Sequence, residues 1–149
     1  MIDIDPTGAS GHSGQHLNVL ILQGSDDNYC TAARDWSDVI VANMTNASIL
    51  RYEELYETLG NSGLMSYVHK EIRRRGVDVL YFDTPISAAI SLESLAELRR
   101  ACFLVGVFDD NALFFTDWYR YIAQELDLVL SHDYVEKFRY QLYGTDALF

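Results

Sequence analysis

Side chains capable of chemistry gather in four short polar clusters along this 149-residue chain. Each cluster directly follows an apolar run that is typical of a buried strand. Because the carboxyl ends of parallel strands meet at one edge of a sheet, where α/β proteins bind ligands, we expect the clusters to line one cleft. The clusters are Gln23–Asp27, Asp83–Pro85, Asp109–Asn111 and Ser131–Asp133.

The catalytic candidates are Asp109, Asp110 and His132. A carboxylate or imidazole beside an acceptor hydroxyl can remove its proton, as a general base does. Asp109-Asp110 is the most concentrated acidic feature at this edge, and His132 is the one His in the four clusters. The candidates for substrate binding are Gln23, Gly24, Ser25, Asp26, Asp83, Thr84, Asn111, Ser131 and Asp133.

Helix capping is the alternative role for these acidic residues. Asp26 lies near the start of the first predicted helix, Asn111 precedes another, and Asp133 precedes the last. Asp and Asn are preferred at helix N-termini because their side chains accept hydrogen bonds from free backbone N–H groups. A residue that caps a helix at a switch point of the sheet also faces the crevice, so both roles stay open.

Motifs for other chemistry are missing from the sequence. It has no phosphate-binding P-loop, no GxSxG nucleophile motif and no HExxH zinc motif. The first strand is followed by Gly24 alone, which does not support a dinucleotide fingerprint. His12 and His16 lie in a Gly- and Ser-rich stretch, where solvated His are expected. We therefore predict neither a cofactor nor a metal site.

The elements around the clusters alternate between strand and helix. Val77–Phe82 and Cys102–Phe108 are nearly all-apolar, and Ser91–Ala101 between them has helical periodicity. Such a βαβ unit belongs in a parallel sheet covered on both faces. Alternation along the chain predicts an α/β fold, a three-layer Rossmann-like domain with a mostly parallel sheet of about six strands. We expect the strand order 3-2-1-4-5-6.

The remaining elements follow from shorter patterns. Leu64–Arg75 is predicted as a helix that ends at Gly76, with basic residues in the last turn. Glu53–Glu57 is predicted as a loop or short turn, and Gly60 and Gly63 as interruptions. The other predicted strands are Leu17–Leu22, Ala47–Tyr52, Leu126–Leu130 and Asp146–Phe149, and the other predicted helices are Asn28–Ala42, Asn111–Glu125 and Tyr134–Tyr143.

Composition narrows the function further. A net charge of −11 argues against nucleic-acid binding and against docking on an anionic membrane surface. No apolar run is long enough to span a bilayer, and the N-terminus has no secretory signal pattern. Cys30 and Cys102 show no metal-ligand spacing, which favours a reduced, cytoplasmic protein. Residues 1–16 are expected to be a flexible leader before one domain, residues 17–149.

Three segments of the second half carry a resemblance: VDVLYFDTPISAAISLESLAELRR, FLVGVFDDN and FTDWYRYIAQELDLVLSHDYVEKFRYQLYGTDALF. In this order, they resemble the N-terminal domain of CgeB-like glycosyltransferases, a GT-B family named for a spore maturation protein. A strand ending in Asp-Thr-Pro before such a helix, and a later strand like LDLVL before a polar turn, are typical of that family. The resemblance covers about residues 77–149.

The resemblance implies one half of a two-domain enzyme with its active site between the domains. The N-terminal domain would shape the acceptor site, and the C-terminal domain would bind the nucleotide sugar, usually without an essential metal. Asp109, Asp110 and His132 would line the cleft, one of them as the base. Because the sequence holds no second domain, we expect sugar transfer to need a nucleotide-sugar-binding domain in cis or trans.

Two other functions compete with this one. Asp26-Asp27 and Asp83 suggest the acidic pocket of receiver domains, so a non-catalytic interaction or receiver-like signalling module, in monomeric or homodimeric form, is the first alternative. A receiver needs a Lys after its last strand, where this chain has Ser131-His132. A flavodoxin-like nucleotide-binding domain ranks last, because the acidic first loop opposes a phosphate.

Overall fold

The computed structural model describes residues 16–24, 31–83, 89–108, 115 and 119–149. Within these ranges, residues 31–35 and Asp83 are described by their backbone alone. The expected leader, residues 1–16, falls outside these ranges except for its last residue. The six predicted site residues that also lie outside are Ser25, Asp26, Thr84, Asp109, Asp110 and Asn111.

Strands and helices alternate along the described chain, and every strand pairing is parallel. The predicted α/β, Rossmann-like class is therefore confirmed. The strands are β1 (Val19–Gln23), β2 (Ala47–Arg51), β3 (Val79–Asp83), β4 (Phe103–Phe108), β5 (Leu128–Ser131) and β6 (Ala147–Leu148). The helices are α1 (Thr31–Asn43), α2 (Tyr52–Arg75), α3 (Leu92–Arg99), α4 (Arg120–Gln124) and α5 (Glu136–Leu142).

The strand order in the sheet is β2-β1-β3-β4-β5-β6. The expected order 3-2-1-4-5-6 is wrong, because the chain crosses back after β2 and pairs β3 with the open edge of β1. β3 and β4 are the two central strands, whereas the expected order would put β3 at an edge. The direction of winding reverses between β1 and β3, so the switch point lies there.

The two faces of the sheet are covered unequally. α1 packs on one face, where Ile40 and Met44 lie against Val19, Ile21 and neighbouring strand residues. The four other helices contribute buried residues to the opposite face. In a right-handed crossover, the direction in which the chain moves along the sheet decides which face its helix covers. Only the β1-to-β2 connection moves towards the β2 edge, so α1 and the other named helices lie on opposite faces. The larger core includes Leu64, Val68, Ile72, Leu95, Leu98, Ile122 and Tyr140.

Helix α2 is longer than the sequence indicates. Glu53–Glu57, predicted as a loop, lies inside its first turns, and Gly63 is helical. Gly60 takes a φ of 66°, a conformation that a residue without Cβ adopts at little cost, and kinks the helix there. The predicted end is confirmed, because Gly76 has φ 58° and its N–H donates to the carbonyl of Ile72.

Side chains tie together the edge of the sheet at which the strands begin. Asn18 donates its backbone N–H to Asp78 Oδ2 at 2.9 Å and its Nδ2 to the carbonyl of Gly76 at 3.0 Å. Further along, Asp127 accepts from Arg99 Nε at 2.8 Å and from the backbone N–H of Leu104 at 2.9 Å. These bonds hold the starts of β1, β3, β4 and β5 in register.

Candidate functional site

The carboxyl edge of the sheet brings the predicted clusters into a defined order. Gln23 ends β1 and Asp83 ends β3, so these two predicted site residues flank the switch point. Phe108 ends β4, about 5 Å further along the edge, and Ser131 ends β5, about 10 Å from β3. Asp83 therefore lies at the switch point, and Phe108 and Ser131 end the next two strands of the sheet.

A crevice of about 480 Å³ opens at this edge, at the ends of β1 and β2. It lies between α1 and α2, because both helices supply wall residues. Its volume is in the range of small-molecule sites. The lining residues are Gln23, Asp38, Ile49, Leu50, Arg51, Glu54, Leu55 and Tyr67.

The crevice combines charged and aromatic groups. Arg51 Nη1 lies 3.4 Å from Glu54 Oε1, and both side chains are about half exposed. Gln23 is buried at the end of β1, whereas Tyr67 is 37% exposed. With Asp38 the walls carry two carboxylates and one guanidinium. Hydroxyl groups of a bound ligand can donate hydrogen bonds to these carboxylates. They can also accept hydrogen bonds from the guanidinium of Arg51 and the amide of Gln23.

Gly24 joins this crevice to the first polar loop. A Cβ built on Gly24 would lie 3.5 Å from Glu53 Oε1, in ordinary van der Waals contact. The carboxylate of Glu53, in the first turn of α2, therefore faces the backbone immediately after β1. Gln23 and Gly24 are the predicted site residues that the structure brings to the crevice.

Ser131 and Asp133 form a turn and a helix cap. The backbone N–H of Asp133 donates to Ser131 Oγ at 3.1 Å. Asp133 Oδ1 accepts from the backbone N–H groups of Val135 at 2.7 Å and Glu136 at 3.3 Å. The capping role predicted for Asp133 is confirmed, and its role in substrate binding stays a prediction.

His132 is linked to α1 across the carboxyl edge. Trp36 Nε1 donates a hydrogen bond to His132 Nε2 at 3.1 Å, with the two rings 6.1 Å apart. The lone pair of Nε2 is engaged in this bond, so a base function of this nitrogen requires the Trp36 contact to open. The catalytic role of His132 stays a prediction.

Glu136 is a buried carboxylate that the four clusters did not include. Its Oε1 accepts from Arg139 Nη1 at 2.9 Å, and its Oε2 makes no hydrogen bond to the described residues. Burial raises the pKa of the neighbouring Tyr140, and the nearby Tyr119 and Glu136 contribute. Sequence patterns do not single out Glu136, because an acidic residue in the first turn of a helix is usually exposed to solvent.

The described residues do not support metal binding or a reactive thiol. Within them, no group of three or more His, Cys, Asp or Glu side chains could hold a metal ion. Burial, with the nearby Asp127, raises the pKa of the free thiol of Cys102 to about 11, so it stays protonated at neutral pH. None of the helices in the described ranges is long and apolar enough to cross a membrane.

The sequence patterns missed most of the crevice. Arg51 ends β2, and Glu54 and Tyr67 lie in α2, in a stretch predicted as a strand, a loop and a helix. A polar run after β2, Arg51-Tyr52-Glu53-Glu54, was the available signal. It was not counted with the four clusters because β2 was the weakest predicted strand.

Comparisons with known proteins show a fold relative and nothing more specific. No family model and no curated protein matches the sequence. The solved structure of Anabaena Alr3699/HepE in complex with UDP has a similar fold, with a TM-score of 0.55 and 14% sequence identity. The match covers 89% of this chain and 44% of that one, so this chain spans less than half the length of its structural neighbour.

Proposed function

We propose that this chain is the acceptor-side domain of a GT-B glycosyltransferase, related to the CgeB-like family. The observation that carries the proposal is the polar crevice at the carboxyl ends of β1 and β2, beside the switch point of a Rossmann-like sheet. Ligands of open α/β sheets bind at this edge, and the switch point lies on the other side of β1 from the crevice. The fold likeness to a protein solved in complex with UDP supports the fold that the proposal requires.

The crevice suits a saccharide better than a phosphate. Asp38 and Glu54 offer carboxylate oxygens to sugar hydroxyls, Arg51 and Gln23 offer donors, and Tyr67 offers a ring face. A phosphate would meet these two carboxylates and the nearby Glu53. One of Asp109, Asp110 and His132, the candidates from the sequence, would act as the base towards an acceptor hydroxyl.

The nucleotide sugar belongs to a second domain, supplied in cis or in trans. The structural neighbour, which was solved with UDP, is more than twice as long as the matched region. A cleft between two such domains would complete the site, so this chain alone should bind a saccharide weakly and UDP hardly at all. A reduced, cytoplasmic setting is part of the proposal, and the free thiol of Cys102 agrees with it.

Backbone amide NMR spectra of the chain, titrated separately with UDP and with a panel of mono- and oligosaccharides, test the proposal. We expect at least one saccharide to bind in the millimolar range, about 4 kcal/mol, and to shift the signals of Gln23, Arg51 and Glu54. Arg51→Ala should weaken that binding about tenfold, since it removes a charge-assisted hydrogen bond. Arg73→Ala, an exposed Arg at the opposite edge, is the matched control.

Two results would contradict the proposal. Micromolar binding of UDP to this chain alone would assign it the donor side. Saccharide shifts equally affected by Arg73→Ala and Arg51→Ala, or no saccharide binding at all, would remove the crevice as the acceptor site.

A receiver-like signalling module is the second candidate, and the strand order favours it. The order 2-1-3-4-5 is that of receiver domains and flavodoxins. However, the position after β5 where a receiver carries Lys is occupied by Ser131 and His132. Incubation with Mg²⁺ and acetyl phosphate should leave the intact mass unchanged. A gain of one phosphoryl group on Asp26, Asp27 or Asp83 would rank the receiver function first.

A further inference from the structure

Gln23 brings a buried amide to the wall of the crevice. The residue is 8% exposed at the end of β1 and lines the crevice. Alternation along β1 sets its side chain on the same face of the sheet as Ile21, the face that α1 covers. Its side-chain amide makes no hydrogen bond to another described residue. A buried polar group without a partner costs free energy, so a ligand that binds this amide supplies the missing hydrogen bonds.

Asp38 brings an unpaired charge to the same crevice. It lies on α1, and its carboxylate makes no hydrogen bond or ion pair with another described residue. An exposed carboxylate of this kind is by itself only a solvated surface group. The crevice, however, is lined by both Asp38 and the buried amide of Gln23, and both side chains carry oxygen atoms that accept hydrogen bonds.

The charges around the crevice favour a cation over an anion. The positive group in its lining is the guanidinium of Arg51, whose Nη1 lies 3.4 Å from Glu54 Oε1, so one carboxylate already offsets it. Asp38 adds a second carboxylate, and that of Glu53 faces the backbone at Gly24. The whole chain carries a net charge of −11. Local and overall charge therefore both attract a positive ligand.

An organic cation fits the crevice better than a metal ion does. In the described part of the chain, no group of three or more His, Cys, Asp or Glu side chains could hold a metal. The crevice has a volume of about 480 Å³, and Ile49, Leu50 and Leu55 give it apolar walls. Tyr67, which is 37% exposed, adds a ring face that attracts cations. These features suit a small molecule with a carbon skeleton and a positive group.

An ammonium group matches Asp38 and Gln23 better than a hydroxyl group does. It carries three N–H donors, so it can donate to the carboxylate of Asp38 and to the amide oxygen of Gln23 at the same time. A hydroxyl has one donor and no charge. Hydrogen bonds between ionised groups are roughly twice as strong as those between neutral groups. The pair therefore distinguishes an amine from the hydroxyl that it replaces.

We propose that the crevice selects saccharides that carry a free amino group, which Asp38 and the amide oxygen of Gln23 bind as an ammonium. This selectivity rests on the proposed function, because it requires that the crevice take a saccharide acceptor. Arg51 and Glu54 would bind hydroxyl groups of the same sugar, and Tyr67 would pack against its ring. The acceptor class is thus an amino sugar, or a saccharide that ends in one.

Backbone amide NMR titrations at about pH 6, where amines are protonated, compare matched methyl glycosides. The reference is methyl glucoside, and each test ligand has an amino group in place of one hydroxyl, at every ring position in turn. We expect at least one amino glycoside to bind about tenfold more tightly than the reference and to shift the signals of Gln23 and Asp38. Asp38→Asn, which keeps the size of the side chain, should bring the two affinities within about twofold of each other.

Asp146→Asn is the matched control, since it removes one exposed carboxylate beside β6, outside the crevice lining. It should leave the preference for the amino glycoside unchanged, and circular dichroism should show both variants folded. Gln23→Leu, a substitution of similar size, should weaken binding of the amino glycoside severalfold, because it removes the amide oxygen.

The outcomes separate this selectivity from the proposed function. A neutral saccharide that shifts Gln23, Arg51 and Glu54 and binds as tightly as every amino glycoside overturns the selectivity alone. No binding by any of these glycosides, nor by the wider saccharide panel, overturns both. A preference that Asp38→Asn preserves, or that Asp146→Asn weakens equally, overturns the selectivity because the charge of the whole chain would explain it. Butylamine that binds as tightly as the best amino glycoside also overturns it, since the sugar would contribute nothing.

Discussion

Charged side chains make different contacts at the two edges of the sheet. At the edge where the strands begin, Asp78 and Asp127 bind backbone N–H groups of adjoining segments, and Glu71 binds Arg74 and Arg75. At the carboxyl edge, Arg51 Nη1 lies 3.4 Å from Glu54 Oε1, and both side chains are about half exposed.

This difference separates charges that the fold binds through short hydrogen bonds from charges that are half exposed to a ligand. A carboxylate that accepts two or three short hydrogen bonds from its own chain stabilises the fold and has little capacity left. A loosely paired, half-exposed carboxylate contributes little stability and can exchange its contacts for those of a ligand. Changes at the first edge should therefore alter stability, and changes at the carboxyl edge should alter binding.

The largest effect is expected for Asp127→Ala. It removes the acceptor for Arg99 and leaves the N–H of Leu104 without its partner at the start of β4. Charge-assisted bonds of this kind are worth about 1.5–3 kcal/mol, and we expect a loss of that size in the free energy of unfolding. Urea denaturation measures it, with the exposed Asp146→Ala as control. A loss no greater than the control's would refute the structural role of Asp127.

A smaller loss is expected for Glu71→Gln. The Glu71 carboxylate accepts from Arg74 Nε at 3.0 Å, Arg74 Nη2 at 2.6 Å and Arg75 Nε at 2.7 Å. Gln keeps one acceptor oxygen but no charge, and both Arg side chains can return to water, so we expect about 1–2 kcal/mol. Thermal unfolding at neutral pH checks this, and an unchanged melting temperature would contradict it.

The same carboxylate predicts a pH dependence. Hydrogen bonds from Arg74 and then Arg75 lower the pKa of Glu71 from 4.5 to about 2. Because the folded pKa lies below the unfolded one, this stabilisation is complete above about pH 4.5 and is lost as the pH falls towards 2. Stability of the wild type should fall more steeply in this window than that of Glu71→Gln. Parallel slopes would show that the ion pairs do not form in solution.

The smallest effect on stability is expected at the carboxyl edge. Arg51→Ala breaks an exposed ion pair, which is worth about 0–1 kcal/mol. We expect an unchanged urea midpoint together with the loss of saccharide binding described above. A destabilisation as large as that of Asp127→Ala would mean that Arg51 serves the fold, and the contrast between the two edges would disappear.

Most elements of the fold could be predicted from local patterns. The apolar runs LNVLIL, VDVLYF and CFLVGVF correspond to β1, β3 and β4 within one or two residues at each end. Gly76 ends α2 as predicted, and Ser91 caps α3 by accepting from the N–H of Ser94. These features depend on neighbours in the sequence, so the sequence contains the information for them.

The strand order and the crevice were not predictable in the same way. Both candidate orders satisfy right-handed crossovers, and no local pattern tells on which side of β1 the chain lays β3. The first turns of α2 were missed because Glu53–Glu57 is polar and Gly60 follows. These first turns of α2 begin at Tyr52, whose side chain is buried in the core. The crevice residues Asp38, Arg51 and Tyr67 come from three elements that meet only after folding.

The sequence alone determined that this chain is an α/β domain whose strands end in polar loops, because hydrophobic periodicity and caps are local properties. The tertiary structure decided which strands flank the switch point, which carboxylates are bound by groups of the chain itself, and which face of α5 is exposed. Those outcomes depend on contacts between residues distant along the chain. Their energies arise from burial and pairing in three dimensions, which no single stretch of sequence encodes.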